Sequence, residues 1–204
     1  MKGRTKGKAK VMARGKTKAA AAKKKSVAAV AKKKGAAKKK VAAVPPGYHT
    51  VTPVLICRNA SGALDFYKRA FGAKERMKMM GPDGKVAHAE IRIGDSLVMV
   101  GDEVPQMGAS APETVGGTPV HIFLYVPAVD KVFAQAIAAG ATTEMPPTDM
   151  FWGDRYCKVA DPFGHKWNIA THIEDLSPKE MARRGAEAMK APEEAAEAAE
   201  VVGV

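Results

Sequence analysis

Between residues 51 and 172 the chain reads as one succession of elements used twice. In the first half, Val51 to Arg58 has strand character, and Pro53 argues for a strand start or a sheet edge. Ala60 to Phe71 carries Leu64, Tyr67 and Phe71 at helical spacing and stops at Gly72. Lys74 to Met80, Val86 to Ile93 and Ser96 to Val100 read as strands, parted by Gly81-Pro82-Asp83-Gly84 and by the two-residue turn Gly94-Asp95. In the second half, Val120 to Val126 reads as a strand and Val129 to Ala139 as a helix stopped by Gly140. Thr142 to Met145 is a short strand before Pro146-Pro147, and Asp154 to Ala160 and His165 to His172 form a hairpin on Asp161-Pro162-Phe163-Gly164. Each half is β-α-β-β-β, and the helices end in similar wording, Phe66 to Gly72-Ala73 and Phe133 to Gly140-Ala141. A repeat of about 68 residues predicts an α+β fold of two βαβββ modules, with sheets that meet edge to edge, or across a subunit boundary, and curve around a cleft.

Strand register then selects the cleft residues. If Asp161 and Gly164 close the hairpin, Asn168 falls opposite Cys157 and Ala170 opposite Arg155. Trp167 and Ile169 share the face that packs on a helix, and Lys166 and Asn168 share the other. The Gly94-Asp95 turn sets Ile93 opposite Ser96 and therefore Glu90 opposite Met99. With Met99 in the cleft, Glu90, His88 and Arg92 join it, and His121, Phe123 and Tyr125 alternate onto the same surface. His88, Glu90 and His121 are the candidates for general acid–base work. Met99, Phe123, Tyr125, Trp152, Arg155 and Asn168 are the candidate ligand contacts, Trp152 and Arg155 at the rim. A plainer reading makes His88 and Glu90 an edge-strand polar pair and Asp154 with Arg155 an ion pair that pins a loop.

The charge divides the chain in another way. Residues 1–44 hold 17 of the 33 basic side chains and no acidic one. The other 160 residues set 16 basic against all 21 acidic side chains, a net charge of −5. The first 44 residues are Lys, Ala, Gly and Val, with clusters at Lys23-Lys24-Lys25, Lys32-Lys33-Lys34 and Lys38-Lys39-Lys40. Such a segment offers too little apolar surface to offset ordering and is expected to be disordered. It is either a solubilising extension or a sequence-independent contact for nucleic acid, and no aromatic interleaves the lysines for base stacking. An organelle transit peptide is a third reading, since acidic residues are absent. Pro45-Pro46-Gly47 ends it.

The domain is expected over residues 45–175, with modules at 48–103 and 118–175. Residues 176–204 follow as a helix begun at Ser177-Pro178 and an Ala/Glu-rich end expected to fray beyond Pro192. The chain shows no 18-residue apolar run and no secretory pattern near Met1, so a cytoplasmic protein with no membrane partner is expected. Cys57 and Cys157 make no metal or redox motif and read as buried free thiols in a reducing compartment.

Five stretches carry a family resemblance: Val51-Thr-Pro-Val-Leu, Ala63 to Ala73, His88 to Ser96, Trp152-Gly-Asp-Arg-Tyr and Asp161 to Trp167. On these the body resembles the vicinal oxygen chelate superfamily of glyoxalase I, bleomycin-resistance proteins and extradiol dioxygenases, and most of all its PhnB-like branch. The resemblance implies a small-molecule binder or a lyase- or dioxygenase-like enzyme, commonly a homodimer. The family's metalloenzymes take His, Glu or Gln ligands at positions that fall here at or beside Thr52, and on Met99, His121 and Asn168. With one good ligand in four that metal site is disfavoured and no cofactor is expected, a divalent metal held in another arrangement by the cleft's His and Glu being the alternative. A drug-binding module held on the nucleoid by the basic segment is the alternative.

Overall fold

The structure is a computed structural model that describes residues 41–202, with side chains to Lys190. All but the last four residues of the basic segment lie outside the described residues. The disorder and the nucleic-acid contact expected of it lie there too.

The repeat is present as two four-stranded mixed sheets. The first module runs β1 (Val54–Cys57), α1 (Ala60–Phe71), β2 (Lys74–Met80), β3 (Val86–Ile93) and β4 (Ser96–Asp102), with sheet order β1-β4-β3-β2. Between the modules lie a 3₁₀ turn at Pro105–Met107 and a one-turn helix, α2 (Pro112–Val115). The second module runs β5 (His121–Tyr125), α3 (Val129–Ala139), β6 (Thr142–Asp149), β7 (Asp154–Ala160) and β8 (Lys166–His172), with order β5-β8-β7-β6. In each sheet the first strand pairs parallel to the last and the other pairings are antiparallel. Among the described residues, no helix is long and apolar enough to cross a membrane.

The helices hold the modules together. The α1 helix is capped by Asn59, whose side chain accepts from Gly62 N at 3.0 Å, and by Asp102, which accepts from Ala60 N at 2.8 Å. It buries Leu64, Phe66 and Tyr67 and packs against α3. Phe71 on α1 meets Trp167 on β8 with ring centroids 4.5 Å apart. Asp161, 4% exposed, accepts from Tyr67 Oη at 2.9 Å and from Trp167 Nε1 at 3.0 Å. His165 Nε2 donates to the Ile56 carbonyl at 3.1 Å. A hydrogen-bonded acid and a tilted aromatic contact thus join the second module's hairpin to the first module's helix.

Three element limits and one register differ most from the sequence reading. The β1 strand starts after Pro53, whose missing N–H suits a strand entry. The β6 strand runs on through Pro146-Pro147, which an edge strand tolerates. The C-terminal helix, α4 (Pro178–Val202), passes the expected end at Pro192 and is rich in the helix formers Ala and Glu. The β7–β8 register is shifted by one. The hairpin closes with Asp161 N donating to His165 O at 2.9 Å, so its loop is Pro162-Phe163-Gly164, with Gly164 at φ +83°. Asn168 therefore faces Lys158, and Ala170 faces Tyr156. The β3–β4 register has Ile93 opposite Ser96 and Glu90 opposite Met99.

Cys57 and Cys157 are free and fully buried. Burial pushes the Cys57 thiol up to about 12 and the Cys157 thiol up to about 11, so neither is an available thiolate near neutral pH.

Candidate functional site

With one face of each sheet spent on the helices, the other face carries the candidate residues. They fall into two groups, one on each sheet.

On the first sheet, Glu90 is the centre. It is 7% exposed on β3, with Met99 opposite on β4 and Met77 opposite on β2. Its carboxylate accepts from Tyr48 Oη, lies 3.4 Å from His88 Nε2 and pairs with Arg76 Nη1 at 3.4 Å. Tyr48 first, then His88 and Arg76, hold the Glu90 carboxyl below its usual range, so it is an anionic acceptor rather than an acid at neutral pH. Met79 stands opposite His88, half-exposed like Met77. This face therefore joins a fixed carboxylate to thioethers that adapt their shape.

On the second sheet, the rings of Phe123 and Tyr125 lie 4.9 Å apart, Phe123 stacks near Tyr156 at 5.8 Å, and Trp152 meets Tyr156 edge-on at 5.6 Å. Phe123 is 46% exposed and Tyr125 62%. His121 Nδ1 lies 3.4 Å from Asn168 Oδ1, and Lys158 Nζ sits 6.0 Å from the Tyr156 ring centroid. Trp152 is held by its own ring nitrogen, which donates to Asp154 Oδ2 at 3.0 Å. Asp154, 3% exposed, also accepts from Tyr125 Oη at 3.1 Å and faces His172 Nδ1 at 2.8 Å. Burial, and then the Asp154 contact, raise the Tyr125 hydroxyl. Gly153, at φ +92°, lets this loop touch the strand end, because a Cβ there would run into the Glu174 carbonyl.

Arg155 is placed elsewhere. Its guanidinium is bound by Asp130 at the start of α3 and by Asp149, with contacts of 2.7 and 2.8 Å. It lies on the helix side of the sheet and is not paired with Asp154. The shift in register is the cause: Tyr156 and Lys158 take the outer face that the sequence reading gave to Arg155 and Cys157. Tyr48, Arg76, Tyr156, Lys158 and the Asp154 anchor were missed. The loop between β7 and β8 has three residues and ends at Gly164, at φ +83°, and that length places Tyr156 and Lys158 on this face.

Within the chain, His88 and Glu90 belong to one sheet and His121 to the other, and among the described residues no hydrogen bond joins the two groups. Nor do the family's metal positions gather a fitting donor set. Thr52 gives its hydroxyl to the His49 carbonyl at 3.4 Å, Met99 offers a thioether on the first sheet, and only His121 brings an imidazole. Among the described residues no three His, Cys, Asp or Glu side chains cluster as a cation site.

The Asp154 anchor carries a pH prediction. Asp154, then Asp175, raise His172 above its usual value. A raised folded value means a stabilising contribution that is complete below the unfolded value and lost as pH rises through the folded one. The melting advantage of the natural chain over His172→Gln is therefore expected to be complete below the ordinary imidazole value of about 6.5 and to shrink as pH rises above it. A gap that stays constant with pH would show that His172 does not support the anchor.

A family model described as Glyoxalase/Bleomycin resistance protein/Dioxygenase superfamily matches residues 48–169. An uncharacterized protein of Mycobacterium bovis is 46% identical over 134 residues, 64% of this chain and 88% of that protein. Protein YjdN of Escherichia coli is 28% identical over 131 residues, 54% of this chain and 86% of its own length. Among solved structures, protein PA1353 from Pseudomonas aeruginosa shares the fold with a TM-score of 0.50 at 24% identity, covering 61% of this chain and 98% of that one.

Proposed function

The chain belongs to the glyoxalase/bleomycin resistance protein/dioxygenase superfamily, and we propose that it is a metal-independent binder of small planar aromatic molecules. The observation that carries this reading is the outer face of the second sheet, where Phe123, Tyr125, Tyr156 and Trp152 form a continuous and partly open aromatic wall. His121, Asn168 and Lys158 supply polar contacts beside it. In this reading a second copy closes the wall with its own Met77, Met79 and Met99 face, which makes a homodimer with a thioether roof over an aromatic floor. A binder needs only such walls. An acid–base enzyme needs His88, Glu90 and His121 to converge, and within the chain they stand on two sheets.

The test is a set of planar aromatics, such as 1-naphthol and acridine, titrated against the full chain with Trp emission as readout. Phe123→Ala and Tyr156→Ala are each expected to weaken binding about threefold to tenfold, the worth of one stacked pair. Unchanged affinity in both variants, or a monomer mass by light scattering at micromolar concentration, would count against the reading.

A second reading concerns residues 1–44. Their 17 positive charges with no acid favour sequence-independent attachment to nucleic acid, which would hold the binder on the nucleoid within the cytoplasm.

A further inference from the structure

The segment before β1 adds no strand, yet one of its side chains, partly buried, is seated on the first sheet. Pro45 to Tyr48 forms a tight turn, with Tyr48 N donating to Pro45 O at 3.1 Å. Pro46 takes the second position and Gly47, at φ +84°, the third, as a type II turn requires. The turn delivers the Tyr48 ring to the outer face of the first sheet. There its hydroxyl donates to Glu90 Oε1, and the Arg76 guanidinium lies over the ring, 5.2 Å from its centroid.

The socket has the chemistry of a receptor for a phenol. Glu90 is an acceptor held in its anionic form, so it favours a hydroxyl donor and repels a carboxylate or phosphate. Arg76 reads an aromatic face, which an aliphatic alcohol lacks. Met77 and Met99 flank the carboxylate in register. The Glu90 contact in turn raises the Tyr48 hydroxyl, which keeps it a donor.

We propose that Tyr48 is a tethered occupant of a hydroxyaryl-binding site, and that a free phenol enters by displacing the 45–48 turn. This rests on the binding reading above and adds to it a ligand class and a built-in competitor. A ligand that binds only the open form has its apparent affinity reduced in proportion to the open fraction. The tether keeps the competitor at high effective concentration, so removing it unmasks the site.

The experiment is calorimetric titration of the full chain with 4-ethylphenol and with its methyl ether, 4-ethylanisole. Tyr48→Ala is expected to bind the phenol about tenfold more tightly than the natural chain, with Tyr48→Phe in between because it keeps the ring and loses the hydrogen bond. The ether should gain little in any variant, and Glu90→Leu in the Tyr48→Ala background should abolish the preference for the phenol. Equal affinity of the natural and Tyr48→Ala chains for 4-ethylphenol overturns the proposal, as does equal affinity of Tyr48→Ala for phenol and ether. If those equalities hold while Phe123→Ala still weakens binding, the tethered occupant fails and the aromatic-wall reading survives. If no chain binds any aromatic probe, both fail.

Discussion

The full chain is expected to bind duplex DNA with an affinity that collapses as salt rises, and a chain beginning at Pro45 is expected to bind none. The cause is the division of charge, with 17 basic and no acidic side chains in residues 1–44 against a net −5 in the rest. Each phosphate neutralised by a lysine releases a counterion and adds a slope of about −0.9 to the log–log salt plot. With six or more such contacts, affinity falls by about a thousandfold or more between roughly 50 and 200 mM salt. The shortened chain should keep its fold and its affinity for the aromatic probes, because every contact of both outer faces lies beyond residue 45. Equal DNA affinity of the two chains, or a flat salt response, would leave the lysines as a solubilising extension. Scrambled duplexes should bind as well as any other, since lysine contacts to phosphate read no base.

Asp161→Ala is expected to destabilise the fold by about 4 kcal/mol, which lowers the melting temperature by about 10 °C. The carboxylate accepts from Tyr67 Oη, from Trp167 Nε1 and from the backbone of Phe163 and His165, all within 2.9 to 3.0 Å. Its removal leaves two buried ring donors unpaired and loosens the loop that sets the hairpin register. Tyr67→Phe removes one donor and strands nothing, so about 1 kcal/mol is expected. Urea unfolding of both variants separates the cases. A loss below about 1 kcal/mol for Asp161→Ala would mean that the helix packing, not this acid, joins the modules.

What the sequence made legible follows from the range of the forces involved. Helix and strand positions were readable because their periodicity is local; both helices, Ala60–Phe71 and Val129–Ala139, lie where their apolar spacing puts them. The β3–β4 pairing was readable because two residues, Gly94 and Asp95, fix it. The β7–β8 pairing was not, because it depends on the Asp161 side chain accepting from His165 N, a choice that the Asp-Pro-Phe-Gly wording does not show. That one-residue slip exchanged faces and brought Arg155 forward in place of Tyr156. Tyr48 stayed hidden for a different reason. It meets Glu90 across 42 residues, and nothing in the Pro-Pro-Gly-Tyr wording names the carboxylate at the far end.

The joint between the modules also bears on synthesis. Once Asp102 is added, every strand and helix of the first module has been synthesised. Tyr67 must nevertheless wait for an acceptor 94 residues downstream, and Phe71 for the indole of Trp167. At about 5–20 residues per second the interval from residue 102 to residue 167 lasts roughly 3–13 seconds. During that time the nascent half-chain exposes an aromatic helix face, the kind of surface that chaperones hold and that neighbouring nascent chains aggregate through. The duplicated half is thus a unit of sequence but not of folding: neither half closes its core before the other exists.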